Sequence, residues 1–240
     1  MPDHCLEHLD AFLLGASVDP AVFELRPDYR ALLLAVDGIR PGASDAQSEA
    51  LLAEAEAAAR AATADRPVEE LAHIAAWREA YRAFGAKPQR TRNSVEALTR
   101  RASSGLPRVN RLTDIYNAIS VLHQLPLGGE DLDRYDGPPR LVRATGEEPF
   151  DTTANGESLV EHPVAGEVVW CDASGVTCRR WNWRQTPRTQ LGDDTTTALF
   201  ILDALDPMTD DQLTAAADDL LSHLGRLGPD VRAARRLLAR

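Results

Sequence analysis

The residues best suited to bind a ligand form one short run, Cys178 to Gln185, with the sequence CRRWNWRQ. The run holds three arginines and two of the four tryptophans of the chain. Aromatic rings stack on unpaired bases and arginine contacts phosphate, so this composition fits a surface for single-stranded nucleic acid. The alternative is a sheet surface whose tryptophans are covered by a helix and whose arginines pair with acidic residues. Composition alone favours that alternative.

A strand is expected over residues 175–183, because a hairpin turn at residues 172–175 precedes it. Successive side chains of a strand point to opposite faces of its sheet. One face then carries Thr177, Arg179, Trp181 and Trp183, and the other carries Val176, Cys178, Arg180 and Asn182, with Arg184 following. The candidate substrate-binding residues are therefore Arg179, Arg180, Trp181, Asn182, Trp183 and Arg184.

Two basic segments lie within an acidic chain. The net charge of −11 over 240 residues speaks, taken alone, against nucleic acid as a partner. However, residues 85–111 contain seven basic residues and one glutamate, and residues 178–190 contain four arginines and no acid. Local basic patches attract polyanions despite an opposite overall charge. The candidate RNA-binding residues are Lys87, Arg90, Arg92, Arg100, Arg101 and Arg108.

Other familiar chemical motifs are missing from the sequence. It contains no G-x-S-x-G, H-E-x-x-H, G-x-x-x-x-G-K-[ST] or G-x-G-x-x-G pattern. The six histidines are scattered, and Cys5, Cys171 and Cys178 form no C-x-x-C pair, so we expect small buried thiols, no metal and no cofactor. The N-terminal MPDHCLEHLD is acidic, and no apolar run approaches the roughly 20 residues that span a bilayer. A cytoplasmic location without a membrane partner is expected.

The hydrophobic pattern predicts one α/β domain (mixed α+β) of sheet and helices, with helical N- and C-terminal extensions. Strands are expected at residues 22–25, 31–39, 140–144, 167–171, 175–183 and 195–202. Helices are expected at residues 44–64, 67–84, 94–102 and 111–124, with one more beginning at Thr209 and another at Pro229. Residues 31–39 are almost continuously apolar, as in a strand buried on both faces. On the helix at 111–124 a polar line of Asp114, Asn117, Ser120 and Gln124 is either solvated or lines a site.

Several segments together resemble a known family. They are AWREAYRAFGAKP (76–88), SVEALTRR (94–101), LPRVNRLTDIYNAISVLHQLPLGGEDLD (106–133), GEVVWCD (166–172) and CRRWNWRQ (178–185). The set is similar to the editing and tRNA-binding module of the phenylalanyl-tRNA synthetase β subunit, its third and fourth domains. The resemblance predicts an editing-type domain at residues 76–205, an N-terminal strand and helix extension at residues 1–75, and C-terminal helices at residues 206–240.

The resemblance implies a mixed α/β domain that hydrolyses mischarged aminoacyl-tRNA at its single-stranded 3′ end, without a metal or a covalent nucleophile. Charge stabilisation and a positioned water carry such chemistry. The catalytic residues implied here are Asn117 together with Glu147 or Glu148. The pocket histidine of the synthetase falls on Gly128, and its glycine-rich run is replaced by Cys178–Gln185. Large side chains fill or re-line a pocket that glycines leave open, so the amino-acid specificity of the synthetase does not transfer.

Three functions remain open at the level of sequence. The first is an aminoacyl-tRNA deacylase that acts in trans. The second is a module that binds tRNA or another RNA without catalysis, as the missing histidine and the filled glycine run suggest. The third is a scaffold that holds a small acidic ligand with its arginines. The expected partner is tRNA or aminoacyl-tRNA in the first function, and tRNA or another RNA in the second.

Overall fold

The computed structural model describes residues 3–154 and 156–240. Its helices are α1 (Asp3–Gly15), α2 (Pro20–Leu25), α3 (Ala46–Ala62), α4 (Ala72–Ala83), α5 (Ser94–Arg101), α6 (Arg111–Leu122) and α7 (Asp210–Leu224). Its strands are β1 (Ser17–Val18), β2 (Arg30–Asp37), β3 (Leu127–Asp131), β4 (Arg140–Arg143), β5 (Phe150–Ala154), β6 (Glu157–Glu161), β7 (Val168–Cys171), β8 (Val176–Arg179), β9 (Arg184–Gln185), β10 (Thr197–Ala204) and β11 (Arg232–Leu238). This composition confirms the predicted mixed α/β class.

A four-stranded antiparallel sheet with the order β11–β2–β10–β3 forms the middle of the fold. Along β2, Leu32, Leu34 and Val36 join one hydrophobic cluster. The alternate residues Ala31, Leu33 and Ala35 join a second cluster. The prediction of a strand buried on both faces is therefore confirmed, because a continuous apolar run suits a strand that is covered on both sides.

Different layers cover the two faces of this sheet. Helices α3, α6 and α7 pack on one face through residues such as Leu52, Ile119 and Leu220. Helices α1 and α4 pack on the other face, together with a second sheet of order β1–β4–β7–β8–β9. A separate hairpin of β5 and β6 lies outside both sheets. The space between the two larger sheets contains the candidate site described below.

Outside the run Cys178–Gln185, the elements predicted at residues 22–25 and after Pro229 are wrong. Residues 22–25 belong to helix α2, because Asp19 caps the helix by accepting from Ala21 N at 2.8 Å and proline occupies its first turn. The segment after Pro229 is strand β11 and not a helix. Its Ala-, Arg- and Leu-rich sequence favours a helix intrinsically, but the free edge of β2 supplies a complete ladder of backbone partners.

The two chain ends contribute to the central sheet. Strand β2, from the predicted N-terminal extension, lies between β11 and β10. Strand β11, from the predicted C-terminal helices, pairs with β2. The boundaries at residues 75 and 205 remain a prediction. Segments on both outer sides of these boundaries, such as strands β2 and β11, contribute to the core. No helix in the described part of the chain combines the length and apolar character needed to cross a bilayer.

Candidate functional site

The run Cys178–Gln185 is a strand, a turn and a second strand. Strand β8 ends at Arg179, and β9 covers only Arg184 and Gln185. Between them Arg180 and Trp181 have φ angles of 49° and 69°. This left-handed region is rarely occupied by residues other than glycine and costs about 1–3 kcal/mol per residue. The strand predicted over 175–183 is thus present only as β8, and its continuation to residue 183, with Trp181 and Trp183 on one face, is wrong.

The strained turn is held by backbone hydrogen bonds and by the burial of Trp181. The Trp181 N–H donates to Val168 O at 2.6 Å, and the Arg180 N–H donates to Glu167 Oε1 at 3.2 Å. The Trp181 ring is 0% exposed and packs against Trp77 and Tyr29, at centroid distances of 5.2 and 4.9 Å. Trp181 is thus a core residue. This agrees with the alternative in which the tryptophans of the run are covered by other parts of the protein.

A cavity of about 260 Å³ lies beside this turn, between the two larger sheets and helices α5 and α6. We call it the aromatic cavity. Its aromatic lining is Tyr116, Trp170, Trp181 and Trp183, and its polar lining includes Asn117, Glu130, Asn182 and Asp203. Among the described residues that line it there is no lysine and no arginine. The lining suits a neutral or cationic group and disfavours the small acidic ligand of the third hypothesis.

Asp203 is a buried carboxyl group that lines the aromatic cavity. It is 2% exposed and accepts from Tyr29 Oη at 2.6 Å and from Asn182 Nδ2 at 3.1 Å. Burial raises the pKa of Asp203 to about 7, against the lowering effect of these two hydrogen bonds. A carboxyl group that titrates near neutral pH is suited to general-base catalysis. Sequence reasoning missed Asp203, whose one signal is an acid within the apolar strand TALFILDA.

A second carboxyl group, Glu130, lines the same cavity. It accepts from Thr189 Oγ1 at 2.7 Å and from Tyr135 Oη at 2.8 Å, and burial raises its pKa. Cys178 also lines the cavity, and its pKa lies well above the usual value because of burial and the nearby charges of Glu130 and Asp203. Its thiol stays protonated at neutral pH, so Cys178 is unsuited to act as a nucleophile.

Two residues that line this cavity carry buried indole N–H groups. The indole N–H groups of Trp170 and Trp181 are buried and have no acceptor within the described part of the chain. Asn117, which the resemblance implied and which lies on the polar line of its helix, is 8% exposed and lines the cavity. Its neighbours on that line, Asp114 and Ser120, are buried and bonded within the protein.

The two glutamates predicted to act with Asn117 lie elsewhere. Glu147 and Glu148 are in the loop between β4 and β5, and neither is among the described residues that line the cavity. Glu148 accepts from the N–H and the hydroxyl of Thr145, both at 2.9 Å, and from Gly146 N at 3.1 Å. Partial burial acts to raise the pKa of Glu148, but these hydrogen bonds outweigh it and the pKa is lowered. The structure thus brings Asn117 together with Asp203 and Glu130.

The three arginines of the run have three different environments. Arg179 forms a two-point ion pair with Glu167, with N···O distances of 2.8 and 2.9 Å, and contacts Glu161 at 2.8 Å. Arg184 donates to the Thr152 hydroxyl and lies 3.9 Å from Glu161. Arg180 stacks over the Trp183 ring, 4.4 Å from its centroid. Only Arg180 of the three borders a second cavity, which we call the basic basin.

The basic basin has a volume of about 410 Å³ and lies next to the turn on its outer side. Its lining includes Lys87, Arg90, Thr91, Glu167 and Arg180. The other predicted RNA-binding residues lie outside this lining and are engaged within the protein. Arg100 pairs with Glu69 and Glu96, Arg108 pairs with Glu49 and Glu56, Arg92 lies 3.8 Å from Glu96, and Arg101 donates to Gly105 O.

Comparison with known proteins defines the class of the fold. A family model described as the B3/4 domain matches residues 76–220, more than half of the chain. The chain therefore belongs to the B3/4 domain family, and the resemblance drawn from its sequence is confirmed.

Among solved structures, the chain is similar to an N-terminal fragment of the phenylalanyl-tRNA synthetase β subunit from Pyrococcus horikoshii. The two are 12% identical with a TM-score of 0.45, over 91% of this chain and 50% of that fragment. The chain thus spans about half the length of the fragment. A search of curated protein sequences gives no significant match.

Proposed function

We propose that this protein binds the 3′ end of tRNA and hydrolyses an aminoacyl ester there, acting in trans. The observation that carries this proposal is that Asn117 and Asp203 line one aromatic cavity. Membership of the B3/4 family supports the substrate class, and the cavity supports the chemistry. Its volume of about 260 Å³ lies below the roughly 300–1,000 Å³ of drug-sized pockets, which suits a single aminoacyl group.

The reaction requires a base, a water molecule and donors for the carbonyl oxygen. In this proposal, ionised Asp203 takes a proton from water, and the resulting hydroxide attacks the ester carbonyl carbon. The bond from that carbon to the ribose oxygen breaks, the ribose oxygen takes up the proton that Asp203 received from water, and a free amino acid leaves. Asn117 Nδ2 stabilises the oxyanion. The α-ammonium group of the substrate lies against the acidic wall at Glu130.

The direct test is deacylation of a panel of aminoacyl-tRNAs carrying protein and non-protein amino acids. We expect turnover of at least one member and a loss of about 100-fold or more in Asn117→Ala, as for removal of one oxyanion donor. Lack of turnover on every member, with tRNA binding retained, would instead establish the non-catalytic binding module. If the protein neither hydrolyses any aminoacyl-tRNA nor binds tRNA, the assignment of RNA as its ligand is contradicted.

The alternative carboxylate gives a second test of the same site. We expect Glu148→Gln to keep the deacylation rate within about threefold, because Glu148 accepts hydrogen bonds from its own loop and lies away from the cavity. The folding stability of this variant should also change little, because substitutions near the surface usually alter it by only about 0.5 kcal/mol. The hydrogen bonds within the loop become weaker, but the cavity is unchanged. Rate constants for the wild type and this variant, measured on the preferred substrate, check the expectation. A loss as large as that of Asn117→Ala would return Glu148 to the catalytic role.

A further inference from the structure

The basic basin carries positive charge that the rest of the protein does not neutralise. Lys87 and Arg90 are exposed, and their side chains pair with no acidic group among residues 6–154 and 156–240. Arg180 lies 3.6 Å from Glu167, but that carboxylate already forms a two-point ion pair with Arg179. Three cations therefore line the basin, and the charge of Glu167, the one acidic residue in its lining, is already neutralised by Arg179. Such a concentration of charge favours a multiply anionic ligand.

The geometry of Arg180 relates the basin to the aromatic cavity. Its guanidinium donates to the Thr91 hydroxyl inside the basin and stacks over Trp183. Trp183 in turn lines the aromatic cavity and is only partly buried. One side of this stack thus meets a basin for anions, and the other side meets the cavity for the aminoacyl group. A partly exposed indole next to cationic groups is the arrangement that binds a base and its phosphate together.

We infer that the basic basin binds phosphate groups of the single-stranded 3′ end of an RNA, with Lys87, Arg90 and Arg180 as the contacting cations. The inference rests on the proposed function, because it places the RNA that delivers the ester into the aromatic cavity. It restricts the RNA contact to a small part of the basic segment 85–111. Arg100 and Arg108 are excluded from that contact, because their charges are held by Glu69, Glu96, Glu49 and Glu56.

The test measures binding of unacylated tRNA to the full-length protein as a function of salt. We expect the double variant Lys87→Ala, Arg90→Ala to bind about tenfold more weakly at low salt, since hydrogen bonds to charged groups are strong. The slope of log K against log salt should become shallower by about 1.4, because each phosphate contact to a single strand contributes about 0.7. Both residues are exposed, so the melting temperature of the variant should match that of the wild type.

Two matched variants separate the basin from general charge effects. Arg108→Ala also removes a cation from the same segment, but one held by Glu49 and Glu56, and it should leave the affinity within about twofold. The exchange Lys87→Arg with Arg90→Lys keeps both charges and should restore binding to the wild-type level. An equal loss in Arg108→Ala, or unchanged binding in the double alanine variant, would overturn the inference.

Two further ligands identify the source of the phosphate. A tRNA trimmed of its single-stranded 3′ nucleotides should bind equally well to the wild type and the double variant, because the basin no longer has its ligand. AMP or inorganic phosphate should compete only at much higher concentration than tRNA. Competition by AMP or phosphate at the same concentration as tRNA would show that the basin serves free phosphate compounds, and would overturn the RNA assignment. If unacylated tRNA binds through Lys87 and Arg90 but no ester is hydrolysed, only the proposed hydrolysis fails.

Discussion

Replacement of Asp203 by asparagine should abolish deacylation and at the same time make the protein more stable at pH 8. The loss of rate should reach at least about 100-fold, because the asparagine amide accepts no proton from the attacking water. In the wild type the rate should rise with pH and level off above about 7, where Asp203 is ionised. A rate that is independent of pH between 5.5 and 8.5 would contradict the role of Asp203 as the base.

The stability change follows from the same raised pKa. An unfolded chain ionises this carboxyl group near its ordinary value of 3.8, while the folded chain keeps it protonated up to about 7. Folding therefore takes up a proton between these pH values, and stability falls as the pH rises through that window. At about 1.4 kcal/mol per pKa unit, the ionised group destabilises the native state above pH 7 by up to about 4 kcal/mol. Asparagine carries no charge and avoids this cost.

Urea unfolding at two pH values separates this effect from a general change in packing. Asp203→Asn should be more stable than the wild type at pH 8, and the difference should shrink at pH 5, where the wild-type carboxyl group is protonated. Asp194→Asn is a suitable control, because the Asp194 side chain is 73% exposed, and it should show neither effect. A stability difference of equal size at both pH values would show that Asp203 does not titrate near pH 7.

The second large effect distinguishes the two tryptophans of the turn. Trp181→Ala should destabilise the protein by about 3–5 kcal/mol, because it leaves a cavity in contact with Trp77 and Tyr29. Trp183→Ala should cost less than about 1 kcal/mol, because Trp183 is partly exposed and contacts mainly arginine side chains. Denaturant unfolding of the two variants and the wild type measures this contrast.

Binding of unacylated tRNA should show the opposite order. Trp183→Ala should lose affinity by about 5- to 150-fold, which corresponds to one base stacked with about 1–3 kcal/mol. Trp183→Phe keeps an aromatic face and should retain most of that affinity. Equal destabilisation of the protein by the two alanine variants would contradict the distinction. Unchanged tRNA binding in Trp183→Ala would contradict the stacking role.

Features that depend on a local sequence pattern could be predicted from the sequence. The apolar run in β2 predicted a strand buried on both faces, since such a run suits only a covered position. The capping pair Thr209 and Gln212 predicted the start of α7, where each side chain caps the backbone of the other. The resemblance to the family named Asn117, and helical spacing put it on a polar line that was either solvated or part of a site. The structure places Asn117 in the lining of the aromatic cavity, and its catalytic role stays a prediction.

Strands with weak local sequence signals could not be predicted. Strand β3 has the sequence LGGED, in which two glycines remove the alternation that marks a strand. It exists because β10 supplies its backbone partners, as β2 does for β11. Pairing between segments distant in the chain decides such cases, and intrinsic propensity is a weak guide to them.

The run CRRWNWRQ shows most directly what only the tertiary structure decided. Its composition was visible in the sequence, but its left-handed turn at Arg180 and Trp181 depends on Val168 and Glu167 and on the core position of the Trp181 ring. The tertiary structure also decided which carboxyl group has a pKa of about 7. Asp203 is dehydrated and bonded by Tyr29, which lies 174 residues away along the chain, whereas Glu148 is satisfied by its own loop. The sequence alone determined the family and the central strand, because these rest on motifs and periodicity. Burial and pKa values depend on distant neighbours that only the folded chain brings together.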